Sequence, residues 1–177
     1  FTNKHFPANQ ADTTFTGRGI RVAAEPPTLV AKLRQDGGEL WLGPLPCDDD
    51  MQFFVNTEFS IQVGCFAGEP NEQFRDKRNR VGRGSYIPNS TYYKLEVSRS
   101  DKFASDWRKC RKDIATSLFN GENVYVHCMT GYSRVGVAGA AMVSTFTNVS
   151  LAQAIKHIMR YRNLEAKKMV REFGAED

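Results

Sequence analysis

The chain has 177 residues, of which 41% are hydrophobic and 25% are charged, so it is long enough to fold as one globular domain with a sizeable core. Its formal net charge of +4 suits an acidic or phosphorylated partner. It lacks the dense basic patch of a dedicated nucleic-acid binder, so we expect no nucleic-acid partner. We also expect no membrane segment, because no apolar run approaches the roughly 20 residues that a transmembrane helix needs.

The four cysteines are spread along the chain without a CxxC pair, at Cys47, Cys65, Cys110 and Cys128. This distribution is unlike the dense, paired cysteines of small secreted domains. We therefore expect a reducing, intracellular compartment, either cytoplasmic or nuclear. The chain starts at Phe1 rather than Met, so the removal of a preceding segment stays open as an alternative.

The first half of the chain predicts an N-terminal arm over residues 1–37, followed by one domain over residues 38–177. Residues 1–27 of the arm are polar, have no periodicity and end in a Pro-Pro pair. Strands are predicted over 39–46 and 60–67. Between them the sequence predicts a short helix, which Asp48 or Asp49 caps.

A basic insertion interrupts the domain near residues 70–90. Its basic residues lie among glycines and prolines, so we expect no long regular element there. These residues are Arg75, Lys77, Arg78, Arg80 and Arg83.

The second half alternates strands with helices. A strand is predicted over 92–97, a helix over 103–121 with Gly121 past its end, and a strand over 123–128. Three helices follow: 133–146, 150–162 capped by Ser150, and 163–173 capped by Asn163. This alternation indicates an α/β fold with a central, mostly parallel sheet flanked by helices.

The segment VYVHCMTGYSR, residues 124–134, joins a predicted buried strand to the N-terminus of a helix. α/β sheets bind ligands at this place, and the free N–H groups of a helix N-terminus attract anions. A loop tightened at Gly131 can direct successive N–H groups at a tetrahedral oxyanion. Arg134 adds a planar cationic fork for two phosphate oxygens. The same groups would stabilise a thiolate at Cys128, which is then a nucleophile beside the phosphorus atom.

The pattern His127-Cys128-x-x-Gly131-x-x-Arg134 resembles the signature loop of the cysteine-based protein tyrosine phosphatase superfamily, and its layout is most similar to the dual-specificity phosphatase branch. The resemblance covers roughly residues 38–173. It implies the dual-specificity phosphatase fold and hydrolysis of phosphomonoesters through a cysteinyl-phosphate intermediate, with no cofactor and no metal ion. Phosphorylated proteins carrying phosphotyrosine or phosphoserine/threonine are the implied substrates. The oligomeric state stays open.

The catalytic residues expected in this loop are Cys128 as the nucleophile, Arg134 as the ligand of the phosphate oxygens, and His127. The resemblance implies that His127 is buried and hydrogen-bonds the loop, so that its own titration is not the chemistry. The predicted substrate-binding residues are Met129, Thr130, Gly131, Tyr132, Ser133 and Arg134. Met129 and Thr130 are not basic, which weakens a phosphoinositide assignment. Tyr132 either stacks on a substrate ring or is an ordinary surface aromatic.

The leaving oxygen needs a proton, so a carboxylic acid must reach the site from outside this loop. The resemblance places the general acid a few residues after the strand 92–97, in a loop that precedes a helix. This selects Asp101. Asp106 is predicted instead in the first turn of the helix, where the helix dipole favours a carboxylate. Both carboxylates also fit solvated cap residues.

Val135 departs from the family pattern, which usually has Ser or Thr after the signature arginine to assist hydrolysis of the intermediate. We expect a slow second step, unless Thr130 or Ser133 compensates. Two further functions stay open: a low-activity pseudophosphatase that binds phosphorylated partners, and a phosphatase for a non-protein phosphate such as RNA, a lipid or a glucan. The basic insertion either contacts acidic residues around a phosphosite or is a solvated loop. A protective disulfide between Cys128 and Cys65 or Cys47 also stays open.

Overall fold

The computed structural model describes residues 4–5, 27–33, 35–70, 73–75, 81–128 and 134–161. A single 3-10 turn, Asp48–Asp50, precedes the first helix. In chain order the elements are β1 Lys4–His5, β2 Thr28–Lys32, β3 Glu39–Gly43, α1 Met51–Thr57, β4 Phe59–Gly64, β5 Gln73–Arg75, β6 Val81–Arg83, β7 Thr91–Lys94, α2 Ser100–Phe119, β8 Asn123–His127, α3 Arg134–Thr147 and α4 Leu151–Tyr161.

Six of these strands form one sheet in the order β1-β2-β3-β8-β4-β7. The pairs β3–β8, β8–β4 and β4–β7 are parallel, whereas β1–β2 and β2–β3 are antiparallel. The predicted α/β fold with a mostly parallel sheet flanked by helices is therefore confirmed. The parallel strands end at one edge, because Gly43 and Gly64 both lie in register with His127. Ligands bind at this edge of an α/β sheet.

The alternation of side chains along β8 divides the core between the two faces of the sheet. Val124 and Val126 face a core that the three long helices α2, α3 and α4 cover. Tyr125 points to the other face, where its ring lies 4.8 Å from that of Phe54 on α1. The small residues of α3 allow a close approach to the sheet, since a Cβ at Gly139 would lie 2.6 Å from Leu42 Cδ1.

The predicted ends of the helices are confirmed only in part. Gly121, with φ +83°, lies past the end of α2 as predicted. Ser150 caps α4: its Oγ accepts a hydrogen bond from Gln153 N, and Gln153 Oε1 accepts one from Ser150 N. The prediction that Asp48 or Asp49 caps α1 is wrong. Asp50 occupies the N-cap position, because the 3-10 turn moves the start of the helix along the chain.

The sheet also takes in residues from the predicted arm. Residues 28–32 form β2, in which Leu29, Val30 and Ala31 are buried. Residues 6–26 lie outside the described residues. The basic insertion contains the short antiparallel hairpin β5–β6. Its residues 76–80, with Lys77, Arg78 and Arg80, lie outside the described residues, as does the predicted helix over 163–173. No described helix is both long enough and apolar enough to cross a membrane.

Candidate active site

The two ends of the signature loop lie at the ligand-binding edge of the sheet. Cys128 directly follows the central strand β8 and is buried. Arg134 is the first residue of α3 and is half-buried. The predicted substrate-binding residues between them, Met129, Thr130, Gly131, Tyr132 and Ser133, lie outside the described residues. The described part of the site is therefore the strand end, the helix start and the side chains around them.

The residue on the neighbouring strand β4 that is equivalent to Cys128 is Cys65. It follows β4 as Cys128 follows β8, and its backbone N–H donates a hydrogen bond to His127 O at 2.7 Å. Burial raises the pKa of the Cys65 thiol well above its ordinary value; the nearby Cys128 raises it further and Arg134 lowers it. All three groups thus interact electrostatically at one end of the sheet. Cys47 has a different setting, because its backbone forms an isolated β-bridge with Gly84.

His127 is fully buried, as expected from the resemblance. Its Nδ1 lies 3.3 Å from Cys128 O, and its Nε2 lies 3.0 Å from Nε2 of Gln62. The rings of Phe66 and Tyr125 lie 5.5 Å and 6.0 Å from the imidazole. Burial lowers the pKa of His127 to about 3. The imidazole is therefore neutral at physiological pH and fits an orienting role.

Gln62 is the residue of this network that the sequence did not reveal. It stands between Ile61 and Val63 in β4 and is fully buried. A polar residue between two apolar ones in a strand usually faces solvent, so the alternation suggested nothing unusual. Its burial becomes evident only when β4 is placed between β8 and β7.

Asp101 lies in the first turn of α2 and not in the preceding loop, because the helix begins at Ser100. Its carboxylate is exposed and accepts two hydrogen bonds from Arg99, from Nε at 3.2 Å and from a terminal nitrogen at 2.9 Å. This pairing lowers the pKa of Asp101. Its assignment as the general acid stays a prediction.

Asp106 differs from both predictions made for it. It is buried, one turn further along α2 than the first turn, and its Oδ2 accepts a hydrogen bond from Glu96 N at 3.0 Å. A buried carboxylate that bonds a backbone N–H has a structural role as an anchor. Asp106 therefore holds the loop after β7, which leads to Arg99 and Asp101, against the helix.

Val135 is fully buried in the first turn of α3. It belongs to the apolar core between the sheet and the three long helices. The position at which the resemblance implied a hydroxyl thus contributes apolar packing here. Among the described residues, no group of three or more His, Cys, Asp or Glu side chains is arranged to hold a metal ion.

Comparisons with known proteins match the chain to solved phosphatase structures. No family model matches it, and no curated protein matches its sequence. Human DUSP28 superposes with a TM-score of 0.59 at 12% identity, over 90% of this chain and 95% of that one.

Two further structures agree with this match. Cydia pomonella PTP-2 phosphatase gives a TM-score of 0.57 at 16% identity, over 81% of this chain and 86% of that one. PTPMT1 gives 0.51 at 19% identity, over 77% and 90%. The chain therefore has the fold of the dual-specificity and protein tyrosine phosphatases, as the resemblance of its signature loop implied.

Proposed function

We propose that this protein is a cysteine-dependent phosphatase that hydrolyses phosphomonoesters, with phosphotyrosine and phosphoserine/threonine in proteins as its substrates. One observation carries the proposal: Cys128 directly follows the central strand while Arg134 begins the following helix, at the ligand-binding edge of a phosphatase fold. The loop between them, with Gly131 at its centre, has the length and composition of an anion-binding nest. A nucleophile and a phosphate-binding cation in this arrangement suit phosphoryl transfer.

The first chemical step transfers the phosphoryl group to the protein. The Cys128 thiolate attacks phosphorus, an S–P bond forms, and the P–O bond to the leaving group breaks. Arg134 and the loop N–H groups bind the three equatorial oxygens. Asp101, when protonated, gives its proton to the leaving oxygen.

The second step returns the enzyme to its starting state. Asp101, now a carboxylate, accepts a proton from a water molecule whose oxygen attacks phosphorus. The S–P bond breaks, and inorganic phosphate and the Cys128 thiolate are released. Val135 offers no hydroxyl to assist departure of the thiolate, so this step limits turnover.

An aryl phosphate assay tests the proposal. Purified protein should release phosphate from para-nitrophenyl phosphate, and Cys128→Ser should reduce the rate by several orders of magnitude. Cys47→Ser is the matched control, because Cys47 forms a β-bridge with Gly84 and is not part of the signature loop sequence. Equal rates for wild type and Cys128→Ser would contradict the mechanism. A panel of phosphopeptides, phosphorylated RNA ends, phosphoinositides and phosphorylated glucan then identifies the substrate class.

A second candidate function, a phosphate-binding pseudophosphatase, is favoured by the surroundings of two residues. Arg99 engages the carboxylate of Asp101, which lowers its pKa and its fraction in the acid form. Val135 removes the usual hydroxyl. Binding of a phosphopeptide by calorimetry without Cys128-dependent phosphate release would select this candidate.

A further inference from the structure

The side chain of Gln62 connects three parts of the molecule at the candidate active site. Gln62 lies on β4 in register with Tyr125 of the central strand β8. Its Oε1 accepts a hydrogen bond from Ile87 N at 2.7 Å, and its Nε2 donates to Ser85 O at 3.2 Å. The same Nε2 lies 3.0 Å from His127 Nε2.

Backbone groups determine which way this amide points. The Ile87 N–H can only donate, so the Gln62 atom that faces it is the oxygen. The Ser85 carbonyl can only accept, so the atom that faces it is the nitrogen. Both partners are parts of the main chain, and neither can exchange its role. The NH2 group of Gln62 is therefore directed at His127.

The partners of Gln62 are themselves held in place. Ser85 N donates to Pro46 O at 2.8 Å, and the Ser85 hydroxyl donates to Asp48. Gly84 bridges to Cys47, and a Cβ at Gly84 would lie 2.2 Å from Pro70 O. This segment therefore gives the Gln62 amide a fixed frame.

The orientation of the amide determines the tautomer of His127. An NH2 group that points at Nε2 requires an acceptor there, so Nε2 carries no proton. Since the imidazole is neutral, its one proton is on Nδ1. Nδ1–H then donates to Cys128 O at 3.3 Å. In the opposite tautomer, an Nδ1 lone pair would face that carbonyl and an Nε2–H would face the Gln62 NH2 group.

We propose that Gln62 is a positioning residue of the active site, which fixes His127 in the Nδ1-protonated tautomer so that His127 holds the backbone carbonyl of Cys128 where the phosphate-binding loop begins. The catalytic part of this inference rests on the proposed phosphatase function. The tautomer part does not, because it follows from the hydrogen bonds alone. Gln62 has no contact with the reacting atoms in this role and acts through His127.

The tautomer is measured directly in the wild-type protein. Long-range 1H–15N correlation spectra distinguish protonated from unprotonated imidazole nitrogens in each of the three histidines. The signals of His127 are those lost in a His127→Asn variant. We expect a protonated Nδ1 and an unprotonated Nε2 that do not titrate between pH 8 and pH 5. A protonated Nε2 would overturn the inference, and no variant of Gln62 is needed for this result.

Gln62→Met tests the positioning role, because methionine keeps the length of the side chain and removes both hydrogen-bonding groups. We expect kcat/KM for para-nitrophenyl phosphate to fall by about tenfold, a typical result of losing one hydrogen bond that orients a catalytic group. We also expect the dissociation constant for inorganic phosphate to rise and Nε2-protonated His127 to become detectable. Gln52→Met is the matched control at an exposed position of α1, and it should change none of these values.

The outcomes separate this inference from the proposed function. A wild-type protein without Cys128-dependent phosphatase activity ends the proposed function, while the spectra and the phosphate affinity still decide the role of Gln62. A Gln62→Met protein with altered His127 signals but unchanged phosphate affinity and unchanged kcat/KM would contradict the positioning role. Where Gln62→Met does not fold, the wild-type spectra decide the tautomer.

Discussion

The backbone N–H of Cys65 donates a hydrogen bond to the carbonyl oxygen of His127 at 2.7 Å, so Cys65 lies directly beside Cys128 across two parallel strands. Neighbouring strands are about 4.8 Å apart. This separation falls within the range of Cα distances of about 4.4–6.8 Å that a disulfide bridges. Both side chains belong to the same core face.

We expect a Cys65–Cys128 disulfide on oxidation. Peroxide converts the Cys128 thiolate to a sulfenic acid, and the Cys65 thiol then displaces water to form the S–S bond. Peroxide-treated wild type should regain phosphatase activity with dithiothreitol, and peptide mapping should find the cross-link. Cys65→Ser should lose that recovery, whereas Cys47→Ser should keep it. Peroxide-treated wild type in which peptide mapping finds no link between Cys65 and Cys128 would contradict the prediction.

The ion pair between Arg99 and Asp101 predicts a particular pH dependence. Arg99 holds the pKa of Asp101 below its ordinary value, so less of the carboxyl is in the acid form at a given pH. Arg99→Gln should raise this pKa and increase the protonated fraction at every pH above it. We therefore expect faster dephosphorylation of a phosphoserine peptide at pH 5 than in wild type, with a smaller change for para-nitrophenyl phosphate, whose leaving group needs less protonation.

Lys102→Gln is the control for this experiment, since it removes a neighbouring exposed charge without touching the ion pair. A pH profile of Arg99→Gln that superimposes on the wild-type profile would argue against Asp101 as the general acid.

Val135 predicts a slow second step. Restoring a hydroxyl at this position should speed that step and lower the stability of the fold. Val135→Thr should increase the steady-state rate severalfold, because its hydroxyl can assist departure of the Cys128 thiolate. The same change buries a hydroxyl in an apolar core and should lower the free energy of unfolding by about 1–2 kcal/mol. Stopped-flow measurement of nitrophenol release follows the change in rate, and urea unfolding follows the change in stability. A faster enzyme without an altered burst phase would place the slow step elsewhere.

His127 predicts how stability changes with pH. Its pKa is about 3 in the folded protein and ordinarily 6.5. As the pH falls from 6.5 towards 3, the unfolded chain takes up a proton that the folded protein does not. The free energy of unfolding therefore decreases by about 1.4 kcal/mol per pH unit from this group. Urea unfolding at pH 6.5 and pH 5.0 should show a smaller decrease in His127→Gln than in wild type; equal decreases would contradict the pKa.

The strand and the helix on either side of the signature loop were predicted more accurately than the start of α2 and the strand β2. The strand before Cys128 and the helix after it were predicted because an apolar run, a distinctive loop and small helical residues follow one another. The start of α2 was missed because its first turn, Ser100 to Phe103, is mainly polar and lacks helical periodicity. The strand β2 was missed because it is short and directly follows a Pro-Pro pair.

The candidate site shows the same division. Cys128, Arg134 and His127 were predicted from one contiguous motif. Gln62 and the anchoring role of Asp106 depend on contacts with distant segments, at Ser85, Ile87 and Glu96, which no local pattern reveals.

Trapping of the intermediate tests the central claim most directly. Wild-type protein is mixed with a phosphotyrosyl peptide, denatured within milliseconds, digested and analysed by mass spectrometry. The proposed mechanism predicts a phosphoryl group on Cys128, a rapid burst of dephosphorylated peptide close to one equivalent per active site, and neither of these in Cys128→Ser. Turnover that persists in Cys128→Ser, or a phosphoryl group carried by any other residue, would contradict it.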